Sequence, residues 1–162
     1  MERQKGHRRH RRVRETPAKE YAAEGIPEPT AGGEGLAGVL LDTDVIIQIL
    51  RGHRRFIDSA ESIPRSGSKT YCCAVSFAEV YGGIRPGEEA LTDAFFGARG
   101  EVVIDSTTGR RAGAYMARYA KSHSLDIADA LIAAAASTSG LRLWTLNRKH
   151  YPMTDVDFWE AG

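Results

Sequence analysis

The stretch Gly38–Ile47, GVLLDTDVII, decides how the rest of the chain reads. Four mostly apolar residues run into Asp42. One threonine later comes a second carboxylate, Asp44, and then three more apolar side chains. A buried, ionised carboxylate is expensive unless something pairs with it. GVLL therefore reads as a short buried strand whose end carries acids, either facing water or holding a cation. From Val45, VIIQILRG has helical spacing and stops at Gly52.

Working outward, the same alternation repeats. RRFIDSAESI is a second helical piece before Pro64, and KTYCCAVS (69–76) is a strand rich in β-formers. FAEVYGGI and EEALTDAFFGA read as two helices with a break over 82–87. EVVID (101–105) is a third strand, followed by a long amphipathic helix in TTGRRAGAYMARYAKSH. DIADALIAAAASTSG is an Ala-rich helix closed by Gly140, and LRLWT (141–145) is a fourth strand. NRKHY is a turn or short helix, and VDFW (156–159) a fifth, edge strand. This order predicts an α/β fold: a three-layer α/β/α sandwich around a mainly parallel sheet of four to five strands. In such sheets function gathers at the carboxyl ends of the strands. Asp42, Ser76, Asp105 and Thr145–Asn147 then share one rim.

The whole chain sets limits on this reading. Its 162 residues suit one domain plus a tail, and 42% hydrophobic with 27% charged residues is ordinary for a soluble globular protein. No apolar run reaches ~18 residues, so no membrane span is expected. The basic N-terminus has no apolar stretch behind it and does not read as a secretory signal. The only cysteines are the adjacent Cys72 and Cys73, which excludes a disulfide framework and points to a reducing cytoplasm. The five histidines are scattered, without zinc spacing. Residues 1 to 14 carry seven of the 22 basic residues against one of the 21 acids, leaving 15 basic and 20 acidic residues beyond them. Residues 1–36 lack apolar periodicity and are expected to be a disordered basic extension, with 37–162 as the folded domain. The extension is an arm that touches nucleic acid, a dispensable segment, or the result of a start codon assigned too early.

Acids recur where the strands end. Asp42 and Asp44 follow the first, SFAE (Ser76 to Glu79) the second, and Thr145-Leu146-Asn147 the fourth. The Ala-rich helix opens with Asp126 and Asp129. Crowded carboxylates repel one another unless a hard cation intervenes, and all-oxygen ligands favour Mg²⁺ or Mn²⁺. Such a site suits attack of water on a phosphodiester. Each acid also has a structural reading. SFAE is a capping box with Ser76 as cap, Asp126 caps the Ala-rich helix with Asp129 in its first turn, and Asn147 caps a turn. Asp105 reads as the cap or turn before the long helix.

In order, LLDTDVII, SFAEV, DIADALIAA and LWTLNRKHY resemble the four signature segments of PIN-domain ribonucleases, and most closely the VapC-type toxins of toxin–antitoxin pairs. The resemblance runs from residue 38 to about 159. It implies a Mg²⁺- or Mn²⁺-dependent endoribonuclease with an RNA substrate, a cognate antitoxin and frequent homodimerisation. By this resemblance Asp42, Glu79 and Asp129 are the metal-binding acids. Asn147 matches a fourth position that is Asp or Asn among relatives, and Asp44, with Ser76 and Thr145, supports the set. Asn147 removes one formal charge from a possible second metal, and the basic extension departs from a family that normally begins near the first strand.

Three other functions start from the same residues. LLDTDVII also resembles haloacid-dehalogenase-type phosphatases, with Asp42 as nucleophile and Asp44 as acid/base; that chemistry needs a late Lys and an acidic pair after another strand. A receiver-type phosphoacceptor fits less well, because LWTLN has Asn where a Lys is needed. A PIN-like module that holds RNA or protein without cutting is the non-enzymatic alternative. Cations should rim an acidic centre that takes RNA. Candidates are Arg51, Arg54, Arg55, Arg111, Arg118 and His150, with Arg148 and Lys149 the better bets beside Asn147. Ile49, Leu50 and Phe56 form either a groove for an antitoxin helix or core.

Overall fold

The computed structural model describes residues 38–161; the basic segment 1–36 and the domain boundary drawn at its end lie outside the described residues. The first strand, β1, is Gly38–Leu41, and helix α1, Thr43–Leu50, follows it with one residue between. Then come α2 (Arg54–Arg65), β2 (Lys69–Cys73), α3 (Ala74–Gly82), α4 (Glu89–Gly97) and β3 (Gly100–Val102). The long α5 (Ser106–His123), the Ala-rich α6 (Ile127–Ser139), β4 (Arg142–Trp144) and a 3₁₀ turn at Arg148–His150 complete the order. All strand pairs are parallel, in the order β3-β2-β1-β4. Among the described residues no helix is long and apolar enough to cross a membrane.

Strand alternation builds two cores. Val39, Leu41, Cys72 and Trp144 face Val45, Ile46, Ile63, Val80, Phe95 and Phe96 from the first four helices. Leu40, Tyr71, Cys73 and Leu143 face α5 and α6 on the other side. The neighbours Cys72 and Cys73 thus point to opposite faces, as period 2 requires, and both are free thiols. Five alanines of α6 (Ala130 and Ala133 to Ala136) are fully buried; small side chains let this helix lie close to its neighbours. Tyr71 needs two glycines beside it. A Cβ on Gly100 would lie 2.5 Å from its ring, and one on Gly38 would lie 2.6 Å from the ring and 2.4 Å from the Lys69 carbonyl.

Three expectations change. KTYCCAVS is not a strand to Ser76: β2 stops at Cys73, which is the extended N-cap of α3 without a side-chain cap bond. Ser76 therefore sits inside the first turn and is not a cap. EVVID contributes only Glu101 and Val102 to β3; Val103 beyond it is 73% exposed, because the chain leaves the sheet to reach the Asp105 cap. VDFW is not a fifth strand. It makes one parallel bridge, Phe158 with Leu143, where Leu143 N–H donates to the Asp157 carbonyl (2.7 Å) and Trp159 N–H to the Leu143 carbonyl (2.9 Å). The approach to that bridge is fixed by Asp155, which accepts from Arg111, Tyr115 and Ser137 at 2.6–2.9 Å.

Candidate active site

The site starts where β1 gives way to α1. Asp42 donates its N–H to the Trp144 carbonyl of β4 (3.0 Å), which fixes the strand end beside β4. Its Oδ1 accepts from Thr43 N–H (2.7 Å), capping α1. Its Oδ2 accepts from the Tyr151 hydroxyl at 2.7 Å, and the residue is 6% exposed. The same hydroxyl lies 3.3 Å from Asp129 Oδ1 in the first turn of α6. Asp126 caps that helix, accepting from Asp129 N–H at 2.9 Å, as its position suggested. Asp105 likewise caps α5 through Thr108 N–H.

Glu79, on α3, is reached from the other side. Thr43 Oγ1 donates to Glu79 Oε2 (2.5 Å) and lies 3.2 Å from the buried Ser76 hydroxyl. Asp44 turns towards β4, accepting from Leu146 N–H (3.0 Å) and Thr145 Oγ1 (3.4 Å). Asn147 N–H donates to Thr145 Oγ1, and its side-chain amide nitrogen lies 2.9 Å from His150 Nδ1. That imidazole nitrogen also stands 3.3 Å from Asp129 Oδ2. The predicted residues thus fall into three linked groups: Asp42 with Asp129 through Tyr151, Glu79 with Ser76 through Thr43, and Asp44 with Thr145 and Asn147.

Electrostatics follow the crowding. Burial, then the Asp42 charge, pushes the Asp44 carboxyl up to about 6, against the bonds from Leu146, Val45 and Thr145. Burial, then Asp126 and Asp42, also raises Asp129, against His150 and Tyr151. Burial beside Asp42 pushes the Tyr151 phenol far up, so it remains a donor. A phenol carries one proton and two carboxylates face it, so one interaction stays uncompensated. Asp44 Oδ1 is buried with no hydrogen-bond partner. This all-oxygen, self-repelling donor set suits a hard divalent cation. Among the described residues, though, no three acids, histidines or cysteines are drawn together into a finished cage; Tyr151 and Thr43 hold the carboxylates singly.

Three residues here were not singled out from sequence as part of the acid set. Thr43 and Tyr151 are not among the sequence candidates, and His150 is one only as a rim cation. Thr43 has the clearest signal, a hydroxyl between two acids, whereas Tyr151 reads as ordinary core. Arg111 is not a rim cation: it is 2% exposed and ion-paired with Asp155 at 2.9 Å. Arg51, Arg54, Arg55, Arg118, Arg148 and Lys149 are exposed. Ile49, Leu50 and Phe56 pack against the core of the first four helices. Leu50 also lines a cleft of about 170 Å³ with Ile47, Ile84 and Leu91, bounded by Glu79, Arg51 and Arg85.

A PIN-domain family model matches residues 39–156. Ribonuclease VapC10 of Mycobacterium tuberculosis is 36% identical over 116 residues, 71% of this chain and 86% of that protein. FitAcB from Neisseria gonorrhoeae, a crystal structure, superposes with a TM-score of 0.59 at 25% identity, covering 76% of this chain and 97% of that one. DNA-bound VapBC from Salmonella typhimurium gives a TM-score of 0.65 at 18% identity over 76% and 97%, a likeness of fold. The phosphatase and receiver readings drop out, since the matched family spans all four segments and the late acids open α6 instead of following a strand. The chain therefore belongs to the PIN-domain family, in its VapC-type branch.

Proposed function

We propose that the protein is a Mg²⁺- or Mn²⁺-dependent endoribonuclease and the toxin of a toxin–antitoxin pair. The observation that carries this is the pairing of Asp42 and Asp129, acids 87 positions apart in sequence, across one Tyr151 hydroxyl at the carboxyl end of a parallel sheet. In this reading Asp42, Glu79 and Asp129 hold the cation, which when bound lowers the pKa of water and shields phosphate charge. Thr43 aims Glu79. Asp44 fixes the β4 end through Leu146 and Thr145, which in turn orients Asn147. Asn147 adds a neutral amide beside Asp129, and Arg148 and Lys149 meet RNA phosphates.

The cleft lined by Ile47, Leu50, Ile84 and Leu91, with cations beside Glu79, supports an apolar antitoxin helix as the partner. A homodimer working in the reducing cytoplasm belongs to the same reading, and the two free thiols are compatible with it. The test is cleavage of mixed RNAs with and without Mn²⁺, together with growth of a bacterial host producing the protein alone. Asp42→Ala and Asp129→Asn should abolish most of the cleavage and relieve growth arrest. Asp129→Asn should leave the metal-free protein as stable or slightly more stable, because it removes a charge whose carboxyl the fold already pushes up. A variant that melts earlier yet cuts normally would remove Asp129 from the site.

A further inference from the structure

Behind the acids lies a second cleft, of about 240 Å³. Thr145 and Leu146 are the partition between the two: they hold Asp44 with a hydroxyl and an N–H, and they also line the cleft. Its aromatic wall is Phe56, Trp144 and Trp159. The two indoles meet at 4.5 Å between centroids, and Phe56 stacks near Trp144 at 6.3 Å. Trp144 is buried, while Trp159 is only partly so and Leu146 is 46% exposed. Arg55 and Arg148 line the cleft from exposed positions. Arg55 lies over the Phe56 ring (4.7 Å) and Arg148 over Phe158 (4.4 Å).

We propose that this cleft binds one nucleotide of single-stranded RNA adjoining the nucleotide cut at the acids, with the base on Trp159 and Leu146 and the phosphate on Arg55 and Arg148. The proposal rests on the ribonuclease reading above. Aromatic faces beside guanidinium groups are the chemistry by which unpaired bases are held. The cleft beside Glu79 is walled by the aliphatic Ile47, Leu50, Ile84 and Leu91, whereas this one is walled by aromatic rings flanked by Arg55 and Arg148, which suits a base and its phosphate better than a helix. Glu160 already occupies Arg148, at 2.6 Å in an exposed pair. Such pairs are weak, so a phosphate can take the carboxylate's place.

Trp144 and Trp159 are the chain's only tryptophans and both line this cleft, so their emission reports on it. The experiment titrates the full chain, in EDTA, with a mixed-sequence single-stranded RNA and with its duplex. Single strands should quench or shift the emission and duplex should not. Trp159→Leu, read by anisotropy of labelled RNA and by the remaining Trp144, should weaken binding about tenfold. Arg148→Gln should lower the salt slope by about one, and Glu160→Gln should tighten binding. RNA binding that leaves emission and all three variants unchanged overturns the proposal, as does emission that follows protein concentration without RNA, which would make the cleft a contact between copies. A parallel cleavage assay in Mn²⁺ separates the two readings. Cutting without an emission change rejects the cleft and keeps the nuclease, whereas an emission change without cutting keeps the cleft as an RNA site and rejects the nuclease.

Discussion

One hydroxyl, that of Tyr151, stands between two carboxylates, at 2.7 and 3.3 Å. In the metal-free protein it is the main donor opposing their repulsion, so its removal acts first on stability. Tyr151→Phe should lower the metal-free stability by about 1.5–3 kcal/mol, the usual worth of a hydrogen bond to a charged group. Mn²⁺ should recover most of that loss, because a cation does the same work on the same oxygens. Thermal melts in EDTA and in Mn²⁺ measure both; an equal loss in the two conditions would mean that the hydroxyl only packs. The acids were legible in the sequence because a carboxylate interrupting an apolar run needs a physical excuse, and Asp42, Asp44 and Asp129 each interrupt one. Tyr151 was not legible: an aromatic residue near Pro152 and Met153 looks like core, and it is core apart from its hydroxyl. Ser76 is not the cap that its spacing suggests, for another reason. A serine three residues before a glutamate is a capping signal, but the helix had already begun at Ala74 without one.

At the scale of elements, β3, β2 and β1 hold together around Tyr71, between Gly100 and Gly38. Gly100→Ala should destabilise by about 1–3 kcal/mol, as overpacking does, with cleavage per folded molecule unchanged; equilibrium denaturation beside an activity assay checks it. The segment after the 3₁₀ turn is tied to α5 and α6 through Asp155. Burial alone would raise that carboxyl, but Tyr115, Ser137 and Arg111 more than offset it and hold it below its ordinary 3.8. A depressed folded pKa gives stability that is present above 3.8 and lost as pH falls through the folded value. Asp155→Asn should therefore lower the melting temperature at pH 7, by about 1–3 kcal/mol of stability. It should also lose less than the native chain on acidification below that value, as melts across the acid range would record. Helices and strands were largely readable from periodicity, since β1, α1, α5, α6 and β4 each have one strong pattern. The strand ends were not, because β2 runs into α3 with apolar residues on both sides of the junction and no turn residue to mark it.

For the whole molecule, the charge asymmetry between a basic N-terminal segment and an acidic body sets a separate expectation. Deleting residues 1–36 should leave folding and the proposed metal-dependent cleavage intact. Any loss of RNA affinity should appear only at low salt, where phosphate contacts matter most; loss of folded protein would move the domain boundary upstream. The layer order was readable because strands and helices alternate, whereas the route of residues 151–161 was not, since a single bridge carries no periodic signal. That bridge also governs how copies of the protein can meet. β4 is an outer strand of the sheet, yet Leu143 has both its N–H and its carbonyl engaged by Asp157 and Trp159. An outer strand with free backbone groups is a template for pairing with another chain, and here the groups at its centre are already taken. Strand-to-strand aggregation is left with the opposite border, β3, three residues long and carrying the exposed Glu101. The short final crossing thus blunts one border of the sheet as a template for another chain and leaves only the three residues of β3 open to such growth.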